Sequence, residues 1–168
     1  EGPINDRRLW PFYEKASELG VPLTIHTGIS YVCPQPNSHC HPQQLDDVAL
    51  AFPDLKMIAY HAGWPYTEEL IGLCGKHKNL YMSLSGIFGW YQRSPYRGYH
   101  AIGTALQWVP ADKIVLGFDL PFDDLPRVTD YIRDLSMPEE LQEKWGYAQV
   151  TDEDKAKILG LNLAKLTG

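Results

Sequence analysis

Four short apolar runs recur along the chain, and each stops at a polar residue with a glycine within two positions of it. The first ends Thr24-Ile25-His26-Thr27-Gly28, the second Ala59-Tyr60-His61-Ala62-Gly63, the third Ser83-Leu84-Ser85-Gly86 and the fourth Leu116-Gly117-Phe118-Asp119. Runs rich in β-branched and aromatic residues suit strands, and near-continuous apolar character, as in Leu55 to His61, suits a strand buried on both faces. The predicted strands are Pro22 to His26, Leu55 to His61, Leu80 to Ser85 and Lys113 to Asp119. Helical spacing fills the intervals. A first helix is expected to start at Asp6, a good N-cap, to carry Leu9, Phe12, Tyr13, Ala16 and Leu19 on its apolar face, and to end at Gly20. Further helices are expected over Pro42 to Ala51, Glu68 to Lys76 and Tyr99 to Trp108, and over most of the remainder up to Leu166.

Alternating strand and helix is the pattern of a parallel sheet with helical crossovers. His26 and Asp119 lie 93 positions apart, or three units of about thirty, the spacing of a ~250-residue (β/α)8 barrel divided into eight. The expected fold class is therefore α/β, a partial (β/α)8 barrel in which residues 1–168 form half of a single domain. In such barrels catalytic groups project from the C-terminal ends of several strands, and here those ends carry His26, His61, Ser85 and Asp119. Two histidines and an aspartate offer imidazole nitrogen and carboxylate oxygen, a ligand mixture that suits zinc and also manganese or iron. A metal with an open coordination position lowers the pKa of its bound water from 15.7 to about 7 or polarises a substrate oxygen. This supports hydrolase or lyase chemistry.

Composition narrows the partners. The net charge of −6 and the pI near 5.4 come from charges scattered through the chain, with no basic block to neutralise a phosphate backbone, so nucleic acid is not an expected partner. Apolar stretches are broken well short of the ~18 residues that a membrane span needs, and no membrane partner is expected. Cys33, Cys40 and Cys74 do not make a disulfide framework, which points to a reducing compartment and places the expected location in the cytoplasm.

Five segments, in order and spacing, carry a resemblance to a known family. They are Pro22-Leu23-Thr24-Ile25-His26-Thr27-Gly28; Phe52-Pro53-Asp54-Leu55-Lys56 leading to His61-Ala62-Gly63; Asn79-Leu80-Tyr81-Met82-Ser83; Ala111-Asp112-Lys113-Ile114-Val115-Leu116-Gly117-Phe118-Asp119-Leu120-Pro121-Phe122; and Ile158-Leu159-Gly160-Leu161-Asn162. The chain resembles the amidohydrolase-related proteins, a branch of the amidohydrolase superfamily with both hydrolases and non-oxidative decarboxylases. The resemblance implies that the four strands are strands five to eight of the barrel. It implies that His26 is a metal ligand on strand five and that Asp119 is the strand-eight carboxylate that binds metal and handles a proton. His61 corresponds to the strand-six histidine, with catalysis as its first expected role and ligation as its second. The implied cofactor is a divalent metal, zinc foremost and manganese next; the implied partners are a small-molecule substrate and a second copy in a dimer.

Family members open with a His-x-His pair on strand one, and no predicted strand here carries one. The expectation is an N-terminal half, lying outside this sequence, that completes the site; the competing reading is a non-catalytic half-barrel acting as a binding or assembly module. His39-Cys40-His41 satisfies His-x-His in a Pro-rich loop, where nothing like a strand would hold the pair, and His41 is better read as a substrate contact. Cys74, on an apolar helix face, reads as a small core residue. The stretch from Gly86 to Tyr99 holds Phe88, Trp90, Tyr91, Arg93, Tyr96 and Arg97, which could stack an aromatic ring and pair with a carboxylate, or equally cover the barrel mouth or meet another subunit. Trp64 carries the same two readings.

Overall fold

A computed structural model describes residues 2–31, 35–86, 94–121 and 123–168. The sequence expectations at Cys33, Phe88, Trp90, Tyr91, Arg93 and Phe122 lie outside the described residues. Four strands, β1 (Leu23–Ile25), β2 (Met57–Ala59), β3 (Leu80–Ser83) and β4 (Ile114–Val115), form one sheet in the order β1-β2-β3-β4. Every neighbouring pair is parallel, with Ile25 opposite Ala59, Ala59 opposite Met82 and Met82 opposite Ile114. Sequential order with parallel pairing requires a crossover after each strand. The crossovers are α2 (Gln44–Ala51), α3 (Thr67–Lys76) and α4 (Pro95–Trp108), while α1 (Trp10–Glu18) precedes β1. After β4 come α5 (Leu125–Arg133), α6 (Glu139–Trp145), α7 (Asp152–Ala156), a π-helical turn Lys157–Leu161 and α8 (Asn162–Thr167).

The core sits between sheet and helices. Met57 and Ala59 point into the layer formed by Leu45, Val48, Leu70, Ile71, Cys74, Ile102 and Ala105, whereas Ile58 and Val115 point to the opposite face and meet Leu166 of α8. The strand alternation of side chains thus leaves neither face of β2 exposed, as its unbroken apolar run requires. Asn162 ties α8 to the sheet by donating from Nδ2 to the carbonyls of Ala111 (2.7 Å) and Ile114 (2.8 Å).

The strands are shorter than the apolar runs that announce them. His26 follows the last residue of β1, Asp119 lies four positions past β4, and His61 falls in a 3-10 turn, Tyr60–Gly63. With φ of 61° at His61 and 44° at Ala62, that segment cannot belong to a strand. At the N-terminus, Asp6 caps a separate turn, Arg7–Leu9, before α1 starts at Trp10. Of the expected apolar face, Tyr13 and Ala16 are buried while Leu9, Phe12 and Leu19 are exposed. Pro95 opens α4 four residues earlier than the apolar spacing indicated, because proline fits the first turn of a helix where no donor is needed.

Candidate active site

The parallel register sets the C-terminal ends of β1, β2 and β3 side by side, so the loops that follow are neighbours. Hydrogen bonds within and between these loops fix this arrangement. The Ile29 N–H donates to the Trp64 carbonyl at 2.8 Å, the Gly28 N–H to the Cys40 carbonyl at 2.8 Å, and the Thr27 hydroxyl to the Tyr60 carbonyl at 2.5 Å. The His26 and His61 rings lie 4.8 Å apart, edge to face. Gly86 closes the third side, since a Cβ placed on it would fall 3.0 Å from His61 Nδ1 and 3.2 Å from Asp119 Oδ2. Residues far apart in sequence are thus brought together: His61 and Asp119 meet at the backbone of Gly86, and His26 lies against His61.

The two histidines sit in different surroundings. Burial, then the adjacent His61 ring, lowers the His26 pKa below the ordinary histidine value, and the Asp119 carboxylate pulls partly in the other direction. His26 is thereby favoured as neutral imidazole, the form that ligates metals. Its Nε2 is buried and has no hydrogen-bond partner among the described residues, an unsatisfied position that a protein normally avoids unless something else occupies it. His61 Nδ1 lies 3.1 Å from the Ser85 carbonyl, which can only accept, so Nδ1 carries the proton and donates. Its backbone N–H also donates to Ser85 Oγ at 3.2 Å. Held by Ser85 on its Nδ1 side, the His61 ring has Nε2 as its other nitrogen to turn towards a ligand.

Among the described residues, no group of three or more His, Cys, Asp or Glu is arranged to hold a metal ion. The orphaned His26 nitrogen and the oxygen donor of Asp119 nevertheless fit part of the ligand set of a divalent metal, a mixed nitrogen and oxygen environment.

Trp64 and His61 line one cavity of about 810 Å³, together with Arg97, His100 and Tyr147. The Arg97 guanidinium lies 4.6 Å above the Trp64 ring, and the Tyr147 hydroxyl bridges His100 Nδ1 (2.7 Å) and Thr104 Oγ1 (3.0 Å). His41 is not in that wall: its ring packs at a tilt against Tyr66, 4.0 Å between centroids, and its Nε2 lies 3.7 Å from Glu69. Cys40 is buried in the turn Asn37–Cys40, so His39-Cys40-His41 forms a turn rather than a strand pair. Ser85 was visible in the sequence only as a polar strand end; its hold on His61 is a product of the fold. Asp123, a buried carboxylate in the loop after β4, had no signal that set it apart.

The family model described as Amidohydrolase matches residues 1–167. The chain belongs to the amidohydrolase family. No curated protein matches it significantly. Among solved structures, the chain is similar to an uncharacterised TIM-barrel protein from Bordetella bronchiseptica, with 25% identity and a TM-score of 0.71 over 98% of this chain and 51% of that one. It is also similar to 2,6-dihydroxybenzoate decarboxylase in complex with 2,6-dihydroxybenzoate, with 15% identity and a TM-score of 0.67 over 98% of this chain and 56% of that one. A dihydroxybenzoic acid decarboxylase from Polaromonas sp. JS666, solved with bound manganese and the inhibitor 2-nitroresorcinol, matches with 17% identity and a TM-score of 0.66, over 98% of this chain and 55% of that one. The two decarboxylases establish the fold relationship alone. This amidohydrolase chain spans about half the length of these structures, and its four parallel strands with flanking helices are part of a TIM barrel.

Proposed function

We propose that this chain is the C-terminal half, strands five to eight, of a metal-dependent amidohydrolase-related enzyme that hydrolyses a C–N or C–O bond or decarboxylates a small aromatic carboxylic acid. The observation that carries the proposal is the meeting of His61 and Asp119 at Gly86 with the His26 ring against that of His61, His26 Nε2 being buried and without a partner among the described residues. His26 and Asp119 would hold the metal, zinc or else manganese, with His61 as a secondary ligand. When bound, the metal supplies an activated water or a polarised substrate oxygen.

The chain's own groups do the rest. His61, held through Nδ1 by Ser85, accepts or delivers a proton at Nε2, and Asp119 exchanges one through its carboxylate; both are ordinary general acid/base roles. Trp64, with Arg97 above its ring, offers an aromatic face and a cation to a planar acid. His41, Phe88 and Arg93 are assigned to substrate binding on sequence grounds. A dimer in the cytoplasm is the proposed setting. Among the described residues no helix is long and apolar enough to cross a membrane.

The test combines native mass and metal content of the purified protein with turnover of lactones, amides and hydroxybenzoates. About one zinc or manganese per assembled site is expected, with metal content and turnover both falling on Asp119→Asn. Turnover and metal content unchanged by that substitution would overturn the assignment. A metal-free protein that turns over none of these compounds would favour a non-catalytic half-barrel module.

A further inference from the structure

Asp123 is only 7% exposed, and a buried carboxylate needs compensating donors. It has two. Its Oδ2 accepts from the Asp119 N–H at 2.7 Å and from the Gly86 N–H at 3.1 Å, and its own N–H donates to the Asp119 carbonyl at 3.0 Å. A single carboxylate oxygen thus joins the loop after β3 to the loop after β4. Both loops converge on the site. Gly86 is the residue whose missing side chain makes room for His61 Nδ1 and Asp119 Oδ2, and Ser85, one position earlier, holds His61 through its hydroxyl and its carbonyl.

We propose that Asp123 is a positioning residue, one that sets the separation of Asp119 from His61 by clamping the Asp119 and Gly86 amides on a single oxygen. The inference rests on the reading of His26, His61 and Asp119 as a metal-assisted catalytic site, and adds to it the element that holds the carboxylate in register. Among the described residues the side chain of Asp123 accepts from these two amides, so Asp123 acts on the site through the backbone. One oxygen shared by two amides suits a joint between two loops that, among the described residues, share no strand pairing at that level. Asparagine retains a carbonyl oxygen at the same branch and can accept both amides, whereas alanine has no acceptor and the serine oxygen sits one bond short of that position.

The experiment uses the full chain and its Asp123→Asn, Asp123→Ala and Asp123→Ser variants. Amide and imidazole resonances are recorded by NMR without metal, and Mn2+ affinity is measured by calorimetry. Partners that orient metal ligands typically change affinity by about 10–100-fold when lost. Asp123→Ala is expected to weaken Mn2+ binding at least about tenfold and to shift the Gly86 and Asp119 amides and the His61 ring, with Asp123→Asn staying within roughly threefold of the parent. Asp123→Ser reports the same resonances if the alanine variant does not fold. If the folded alanine or serine variant keeps the Asp119, Gly86 and His61 resonances in place, the clamp is refuted. A parent chain that binds no Mn2+ would count against the metal reading instead, and the metal-free resonances would still decide the clamp.

Discussion

Replacing Gly28 by alanine tests whether the loops after β1 and β2 really meet backbone against backbone. Gly28 has φ of 89°, and a Cβ built on it falls 2.0 Å from the Trp64 carbonyl oxygen and 2.9 Å from the Gly63 carbonyl carbon. Two costs add. Holding an L-residue in left-handed backbone costs roughly 1–2 kcal/mol, and forcing a methyl into packed surroundings costs about 1–3 kcal/mol. Rotation of a side chain cannot relieve the second cost, because the obstructing atoms are backbone. Nor can Trp64 retreat freely, since its carbonyl accepts the Ile29 N–H at 2.8 Å. The expected destabilisation is therefore about 2–5 kcal/mol. Gly20 supplies the control: its φ is 65°, and a Cβ there has nothing within 4 Å, so Gly20→Ala carries only the conformational cost of roughly 1–2 kcal/mol. Urea unfolding of both variants separates the terms, and with a slope of about 1–3 kcal/mol/M the midpoints should differ by on the order of 1 M. Equal midpoints for Gly28→Ala and Gly20→Ala would refute the close approach and with it the account of how His26 and His61 are held together.

Three other outcomes follow from single groups. His26 takes up its proton at lower pH in the folded chain than in the unfolded one, so stability should fall as pH drops from about 6.5, the unfolded value, towards the depressed folded value; His26→Gln should remove that slope from urea midpoints collected across pH 5–7. Lys113, half-buried, donates to the carbonyls of His77, Lys78 and Leu80 at 2.7, 2.8 and 3.1 Å, and Lys113→Met should cost about 1.5–3 kcal/mol of unfolding free energy, a loss under roughly 0.5 kcal/mol counting against it. Burial pushes the Cys74 thiol up to about 12, so iodoacetamide at pH 8 should modify the Cys74 peptide only as fast as the chain unfolds, and rapid labelling under native conditions, read by mass spectrometry, would show that the pocket between α3 and the sheet is open.

The βα repeat was legible because burial on both faces leaves a strand no polar positions, and β2 consists of residues no more than 2% exposed. Strand order followed from the same repeat, since parallel neighbours joined by helices place successive ends in one row. The conformation of the ends was not legible. His61 adopts a left-handed conformation that few residues other than glycine favour, and it is accompanied by contacts from another strand end, Ser85 Oγ to its amide and Ser85 O to its ring; no local pattern encodes those partners. The pair Asp123-Asp124 makes the same point. Asp124 caps α5 by accepting the Arg127 N–H, as an acidic residue ahead of a helix should, whereas Asp123, identical and adjacent, turns inward to the Asp119 and Gly86 amides.

The outermost strands carry the metal donors of the proposed site: His26 follows β1 and Asp119 follows β4, and among the described residues each of these strands is paired on one side only. In the proposed enzyme, strands that complete a barrel would hydrogen-bond to those two edges, so donors at their own C-terminal ends would arrive beside His26 and Asp119. Strand pairing and metal binding would then be a single linked event. Pairing would satisfy the open edges, which on their own are a liability, and the added donors would meet the buried His26 Nε2 that the described residues leave without a partner. By linkage, a metal that binds the paired state better than this chain alone stabilises the pairing by the same free energy. Metal affinity measured on this half and on a completed barrel should accordingly differ by the same factor as the pairing affinity with and without metal.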